Sequence, residues 1–66
     1  LADLAHIIRE GRRYLAAGGV MLLEHGWTQG QAVRELFREA GYGNIATCHD
    51  YGDNERLTLG HYQGEV

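Results

Sequence analysis

The sequence holds one cysteine, no proline and no lysine. A single thiol, Cys48, cannot close an intrachain disulfide, and a lone thiol suits a reducing, cytosolic setting. Without lysine, all positive charge rests on six arginines against nine acidic residues, a formal net charge of −3. That balance argues against a broad nucleic-acid footprint, which needs clustered positive charge. Three arginines do cluster, Arg9, Arg12 and Arg13; a solvated helix face accounts for them. No apolar run approaches the ~20 residues of a membrane span. The N-terminus lacks the basic segment followed by an apolar one that marks a secretory leader. The chain opens at Leu1, without methionine and directly in a helical pattern, which suggests a piece of a longer gene product.

What is present is short. The 66 residues suffice for one domain or part of one, since domains usually run to roughly 100–150 residues. A chain of this size buries only about 60% of its unfolded surface. Ordering it costs about 1.5 kcal/mol per residue, which nearly cancels the gain from burial.

The apolar spacing predicts a first helix over about Ala2 to Ala16. Leu1, Leu4, Ile8 and Leu15 form its stripe, with Ile7 and Gly11 beside them, and His6, Arg9, Glu10 and Arg13 take the other side. Gly11 weakens this helix by about 1 kcal/mol relative to alanine, and Gly18-Gly19 is a stop signal. Val20-Met21-Leu22-Leu23 is a continuous apolar run, which predicts a strand buried on both faces. A second helix is predicted from near Thr28, where Thr28 and Gln31 have capping-box spacing. Val33, Leu36, Phe37 and Ala40 form its stripe and Gly41 ends it. Two strands follow, 45–49 and 57–59, joined through Tyr51-Gly52-Asp53-Asn54-Glu55, whose residues favour turns. The order is helix, strand, helix, strand, strand, an α/β pattern whose strand–helix–strand unit implies a parallel crossover. The tail 63–66 is expected to be disordered.

Short motifs in this order carry a resemblance. They include Ala2-Asp3, His6-Ile7-Ile8, Gly18-Gly19, Leu22-Leu23-Glu24-His25-Gly26-Trp27, Gln29-Gly30 and Ala32-Val33-Arg34. Ala40-Gly41-Tyr42, Thr47-Cys48, Asp50-Tyr51-Gly52-Asp53-Asn54-Glu55-Arg56 and Leu57-Thr58-Leu59-Gly60 complete the set. Together they resemble the C-terminal part of the release factor glutamine methyltransferase family (the PrmC/HemK type). The resemblance implies a piece of a Rossmann-like methyltransferase sheet, comprising the last two helices and last three strands. In that sheet the final strand would run antiparallel between the other two. It further implies a parent enzyme that moves a methyl group from S-adenosylmethionine to a glutamine side-chain amide. That glutamine lies in the Gly-Gly-Gln motif of peptide-chain release factors, and the setting is cytoplasmic.

The family's glycine-rich cofactor loop and its Asn-Pro-Pro-Tyr motif lie upstream of anything in this chain, and a chain without proline cannot contain the latter. Gly41-Tyr42-Gly43 does not replace the cofactor loop, because it follows a helix rather than a strand. No catalytic, cofactor-binding or metal-binding residue is therefore assigned, and the fragment alone is expected to be inactive. Ligands in open α/β sheets sit beyond the carboxyl ends of the parallel strands. Glu24, His25 and Gly26 lie at one such end, and the segment with Asp50, Asp53 and Asn54 follows the other. These six residues are the candidates for a substrate-facing rim.

Blander readings apply to the remaining chemistry. Glu24 and His25 are adjacent on a strand, so their side chains point to opposite faces. His6, His25, His49 and His61 lack zinc-motif spacing. Cys48 reads as a small buried hydrophobe, and Trp27 as a hydrophobic staple against the second helix. Asp53, Asn54 and Glu55 make a polar hairpin tip rather than a calcium site. Two other functions fit the pattern less fully: a standalone interaction module, and part of a related methyltransferase with another substrate. A fragment with an apolar strand and an unpaired sheet edge is also expected to self-associate.

Overall fold

The computed structural model describes residues 2–64. Two helices pack on one face of a three-stranded sheet. In chain order these are α1 (Ala2–Gly11), a 3-10 turn (Arg12–Tyr14), β1 (Val20–Glu24), α2 (Gly30–Glu39), β2 (Tyr42–His49) and β3 (Glu55–Tyr62). The sheet order is β1-β3-β2, with β3 antiparallel to both neighbours. The α/β order and the antiparallel last strand between the other two agree with the sequence reading. The expected crossover holds in a modified form. β1 and β2 point the same way, but β3 is inserted between them, so they share no ladder.

α1 is shorter than its periodicity suggests. The expected helix to Ala16 gives way at Gly11, where the chain tightens into the 3-10 turn and Leu15 becomes extended. Glycine is a weak helix former, and the backbone must turn early to reach the sheet. Gly18 N–H donates to the Tyr62 carbonyl at 2.7 Å, and Tyr62 N–H to that of Gly19 at 2.8 Å. The pair extends the β1–β3 ladder past Val20. Ile8 is fully buried and Leu4 and Leu15 pack beside it, whereas Ile7 is exposed.

The capping box does not form. α2 starts at Gly30 with Gln29 as its N-cap residue and no side-chain cap. The Gln29 side chain instead reaches back, its Oε1 accepting from Gly26 N–H at 2.8 Å. Thr28 is exposed. Trp27 does not staple the helix either, being 60% exposed. The C-terminus of α2 follows the sequence signal. Gly41 adopts φ +91°, a left-handed conformation that glycine takes at no steric cost. Arg12 adds a second closure, donating from Nη1 to the Ala40 carbonyl at 3.1 Å. That contact removes Arg12 from the purely solvated face expected of the arginine cluster.

The core is small. Ile8, Val33, Phe37 and Tyr42 are buried, with Met21, Leu23, Leu36 and Ile45 among the partly buried side chains around them. Phe37 meets Tyr42 edge to face, with ring centroids 4.9 Å apart. Each such side chain contributes roughly 1.5–3 kcal/mol when fully buried. Gly60 of β3 lies directly beneath. A Cβ there would sit 2.7 Å from Phe37 Cδ1 and 3.1 Å from Tyr42 Cβ.

β1 corrects the expectation of two-sided burial. Its residues alternate, with Met21 and Leu23 facing the helices while Val20, Leu22 and Glu24 face outward. Leu22 is 58% exposed. The outward row continues across the ladder, from Leu22 to Leu59 to Ala46. This face carries apolar side chains that no described element covers. Cys48 lies on it and is exposed, not buried as its residue type suggests. β2 starts three residues before its predicted range and ends at His49 as expected, whereas β3 extends beyond its predicted range at both ends. Of the tail expected to be disordered, Gln63 and Gly64 have no regular structure, and Glu65 and Val66 lie outside the described residues. No helix among the described residues is long and apolar enough to cross a membrane.

Candidate functional site

The topology brings the two candidate segments to one end of the sheet. β1 ends at Glu24 and β2 at His49, and Leu57 of β3 stands opposite both Glu24 and Cys48. His25 N–H then donates to the Arg56 carbonyl at 2.9 Å, which ties the segment after β1 to the base of the β2–β3 hairpin. Glu24, His25 and Gly26 therefore share an edge with the loop holding Asp50, Asp53 and Asn54. The exposed Trp27 follows directly on the same edge.

Within that loop Asp50 is an organiser. Its Oδ1 accepts from Gly52 N–H at 2.8 Å and Asn54 N–H at 3.0 Å, and its Oδ2 accepts from Arg56 Nε at 2.9 Å. The Asp50 backbone closes the loop by donating to the Asn54 carbonyl at 2.9 Å. The hydrogen bond from Asn54 and then that from Arg56 hold the Asp50 carboxyl at a pKa of about 2, against an ordinary 3.8. Both oxygens are thus engaged in shaping the hairpin. Asp53 is exposed and takes φ +64°, a left-handed turn position that aspartate tolerates. Asn54 is half-buried.

Below the edge runs a set of polar side chains that residue patterns did not flag. His25 Nδ1 lies 2.8 Å from the Gly26 carbonyl, and His25 Nε2 lies 2.8 Å from Thr58 Oγ1. Thr58 Oγ1 is 2.8 Å from Thr47 Oγ1. Arg34 Nη1 donates to Thr47 Oγ1 at 3.0 Å and to Glu55 Oε2 at 2.9 Å. His49 Nε2 stands 3.9 Å from the same Glu55 oxygen. Thr58 is fully buried, and no buried side-chain nitrogen or oxygen among the described residues lacks a partner. The sequence did carry a faint signal. Thr47 and Thr58 are polar residues at strand positions that face the helices.

The chemistry this end can support is limited. Both ring nitrogens of His25 are occupied, so the ring has no free lone pair for a substrate proton. Glu24 is exposed and makes no ion pair among the described residues, leaving its carboxylate open to solvent or a ligand. As the strand alternation required, Glu24 and His25 point to opposite faces. No group of three or more potential metal ligands gathers among the described residues. Gly41-Tyr42-Gly43 lies at the other end of β2, with the Tyr42 hydroxyl donating to the Ile8 carbonyl. A groove of about 330 Å³ also lies at that far end, lined by Arg9, Arg12, Arg13 and Tyr62 among others. No rim residue reaches it.

Comparison with known proteins gives this arrangement a context. No family model matches the chain. Curated relatives do. Release factor glutamine methyltransferase of Escherichia coli is 60% identical over 62 residues, covering 94% of this chain and 22% of the relative. The enzyme of the same name from Haemophilus influenzae is 52% identical over 62 residues, 94% of this chain and 21% of the relative. That from Vibrio cholerae is 48% identical over 65 residues, 98% of this chain and 23% of the relative. The chain spans about a fifth of the length of the curated relatives it matches. Nearly its whole length corresponds to the C-terminal part of release factor glutamine methyltransferases.

Proposed function

We propose that this chain is the C-terminal portion of a methyltransferase domain whose parent methylates a glutamine side chain in peptide-chain release factors. S-adenosylmethionine is the methyl donor, and the setting is cytoplasmic. The glutamine is that of the Gly-Gly-Gln motif. The chain contributes no catalytic or cofactor-binding residue, and those that hold the cofactor lie upstream. Its contribution is part of the substrate-facing rim, through Glu24 at the end of β1 with His25 and Gly26 beyond it, and through Asp50, Asp53 and Asn54 after β2. What supports the reading is that the chain is 60% identical to enzymes of this name over 62 residues and that both stretches sit at the carboxyl ends of β1 and β2, where open α/β sheets bind ligands.

Within the rim the roles divide. Glu24 presents a free carboxylate, whereas Asp50 shapes the loop that presents Asp53 and Asn54. On its own the segment self-associates with a second copy through the uncovered sheet face and the free strand edges.

The test uses the longer enzyme that carries this segment. Glu24→Ala raises KM for the release factor several-fold while leaving S-adenosylmethionine affinity and thermal stability at the wild-type level. Unchanged methylation kinetics with unchanged stability would remove Glu24 from the rim.

A further inference from the structure

The polar set beneath the rim has a direction, and the direction follows from hydrogen counting. A carbonyl has no hydrogen to give, so His25 Nδ1 must carry one to bond the Gly26 carbonyl at 2.8 Å. In the neutral ring Nε2 then has none, and it must accept at 2.8 Å from the Thr58 hydroxyl. Thr58 has spent its hydrogen, so it accepts from Thr47, 2.8 Å away. Thr47 in turn accepts from Arg34 Nη1 at 3.0 Å, which only donates. The second hydrogen of that nitrogen goes to Glu55 at 2.9 Å. Both ends of the chain are fixed, one by a group that only donates and the other by a group that only accepts. Each hydroxyl between them has one orientation left.

We propose that this one-way relay, Arg34 to Thr47 to Thr58 to His25, sets His25 as its Nδ1–H tautomer and so makes Thr58 and His25 positioning residues of the rim. The ring braces the Gly26 carbonyl while the Gln29 side chain takes Gly26 N–H, so one peptide on each side of Gly26 is held. The relay joins four elements: α2 through Arg34, β2 through Thr47, β3 through Thr58, and the end of β1 through His25. It thereby fixes the segment after β1 relative to the hairpin base. A fully buried hydroxyl at Thr58 is unfavourable unless bonded, and here both its donor and acceptor capacity are used.

The tautomer stands on geometry alone. Its importance to substrate rests on the rim reading above, and the two are tested separately. Histidine labelled with 15N is read by long-range proton–nitrogen correlation at pH about 8, where an ordinary imidazole is neutral. The relay requires His25 to show a protonated Nδ1 and a bare Nε2, with the exposed His6 as an internal reference. A protonated Nε2 at His25, or rapid averaging of both forms, overturns the proposal. In Thr58→Val the ring loses its donor, and its nitrogen signals move toward the average of a free imidazole. Thr58→Ser keeps the wild-type pattern. Should Thr58→Val fail to fold, the wild-type spectrum still decides the tautomer. In the longer enzyme, Thr58→Val raises KM for the release factor several-fold with kcat retained, and Thr58→Ser restores it. A wild-type KM in a folded Thr58→Val enzyme removes the positioning role.

Discussion

The Tyr42 hydroxyl donates to the Ile8 carbonyl at 2.8 Å, across 34 residues of sequence. Among the described residues it is the one side-chain hydrogen bond that pins α1 to the sheet. Tyr42→Phe removes that bond, and a hydrogen bond of this kind contributes about 0.5–1.5 kcal/mol. Chemical denaturation should show that loss with no change in the cooperativity of unfolding.

The same residue gives an alkaline signature. Burial raises the Tyr42 pKa above its ordinary 10, partly opposed by Arg12 and slightly aided by Tyr62. A raised pKa favours the protonated form in the folded state. The contribution is complete below the unfolded pKa near 10 and is lost as pH rises through the folded value. Tyr42→Phe should therefore flatten the fall in stability above pH about 10, measured by denaturation at a series of pH values.

At the other extreme, Asp50 sets an acid limit on the hairpin. Its pKa is depressed from 3.8 to about 2. The unfolded chain takes up the proton first, so the stabilisation is present above the unfolded value and is lost as pH falls through the folded one. The Gly52 and Asn54 amide resonances should titrate together with a midpoint near pH 2. In Asp50→Asn that shared titration should be absent.

Gly60 should tolerate no side chain. Its position 2.7 Å from Phe37 Cδ1, for an added Cβ, leaves no room in the core. Gly60→Ala forces Phe37 and Tyr42 apart, and overpacking of this kind costs about 1–3 kcal/mol. Loss of the edge-to-face ring pair should appear as weakened near-ultraviolet circular dichroism.

The uncovered row of Leu22, Leu59 and Ala46 should drive association of the isolated chain. Light scattering should report a mass that rises with concentration, and Leu22→Glu should lower it without unfolding. A clean monomer across a wide concentration range would contradict this.

How much of this was legible in the sequence depends on whether the signal was local. Gly41 ended α2 because one residue and its φ suffice for a cap. The loop at 50–54 was marked by its own glycine, aspartate and asparagine. The order of elements and the shared end of Glu24 and Asp50 followed from the pattern together with the resemblance. Four apolar residues in a row, from Val20 to Leu23, carry no alternation, so they could not reveal that the sheet has a bare face. Thr28 and Gln31 had the spacing of a capping box, but Gln29 competed for the turn through Gly26. The relay was invisible for a different reason. Arg34, Thr47 and Thr58 are unremarkable in their own segments, and only the insertion of β3 between β1 and β2 stacks them beside His25.

On the proposed reading this chain shapes a substrate rim and leaves the cofactor to residues upstream. Calorimetric titration of S-adenosylmethionine into the chain alone tests it most directly. The account predicts no heat of binding, while the longer enzyme titrates normally. Saturable one-to-one binding to the 66-residue chain would contradict it and would place a cofactor site within these residues.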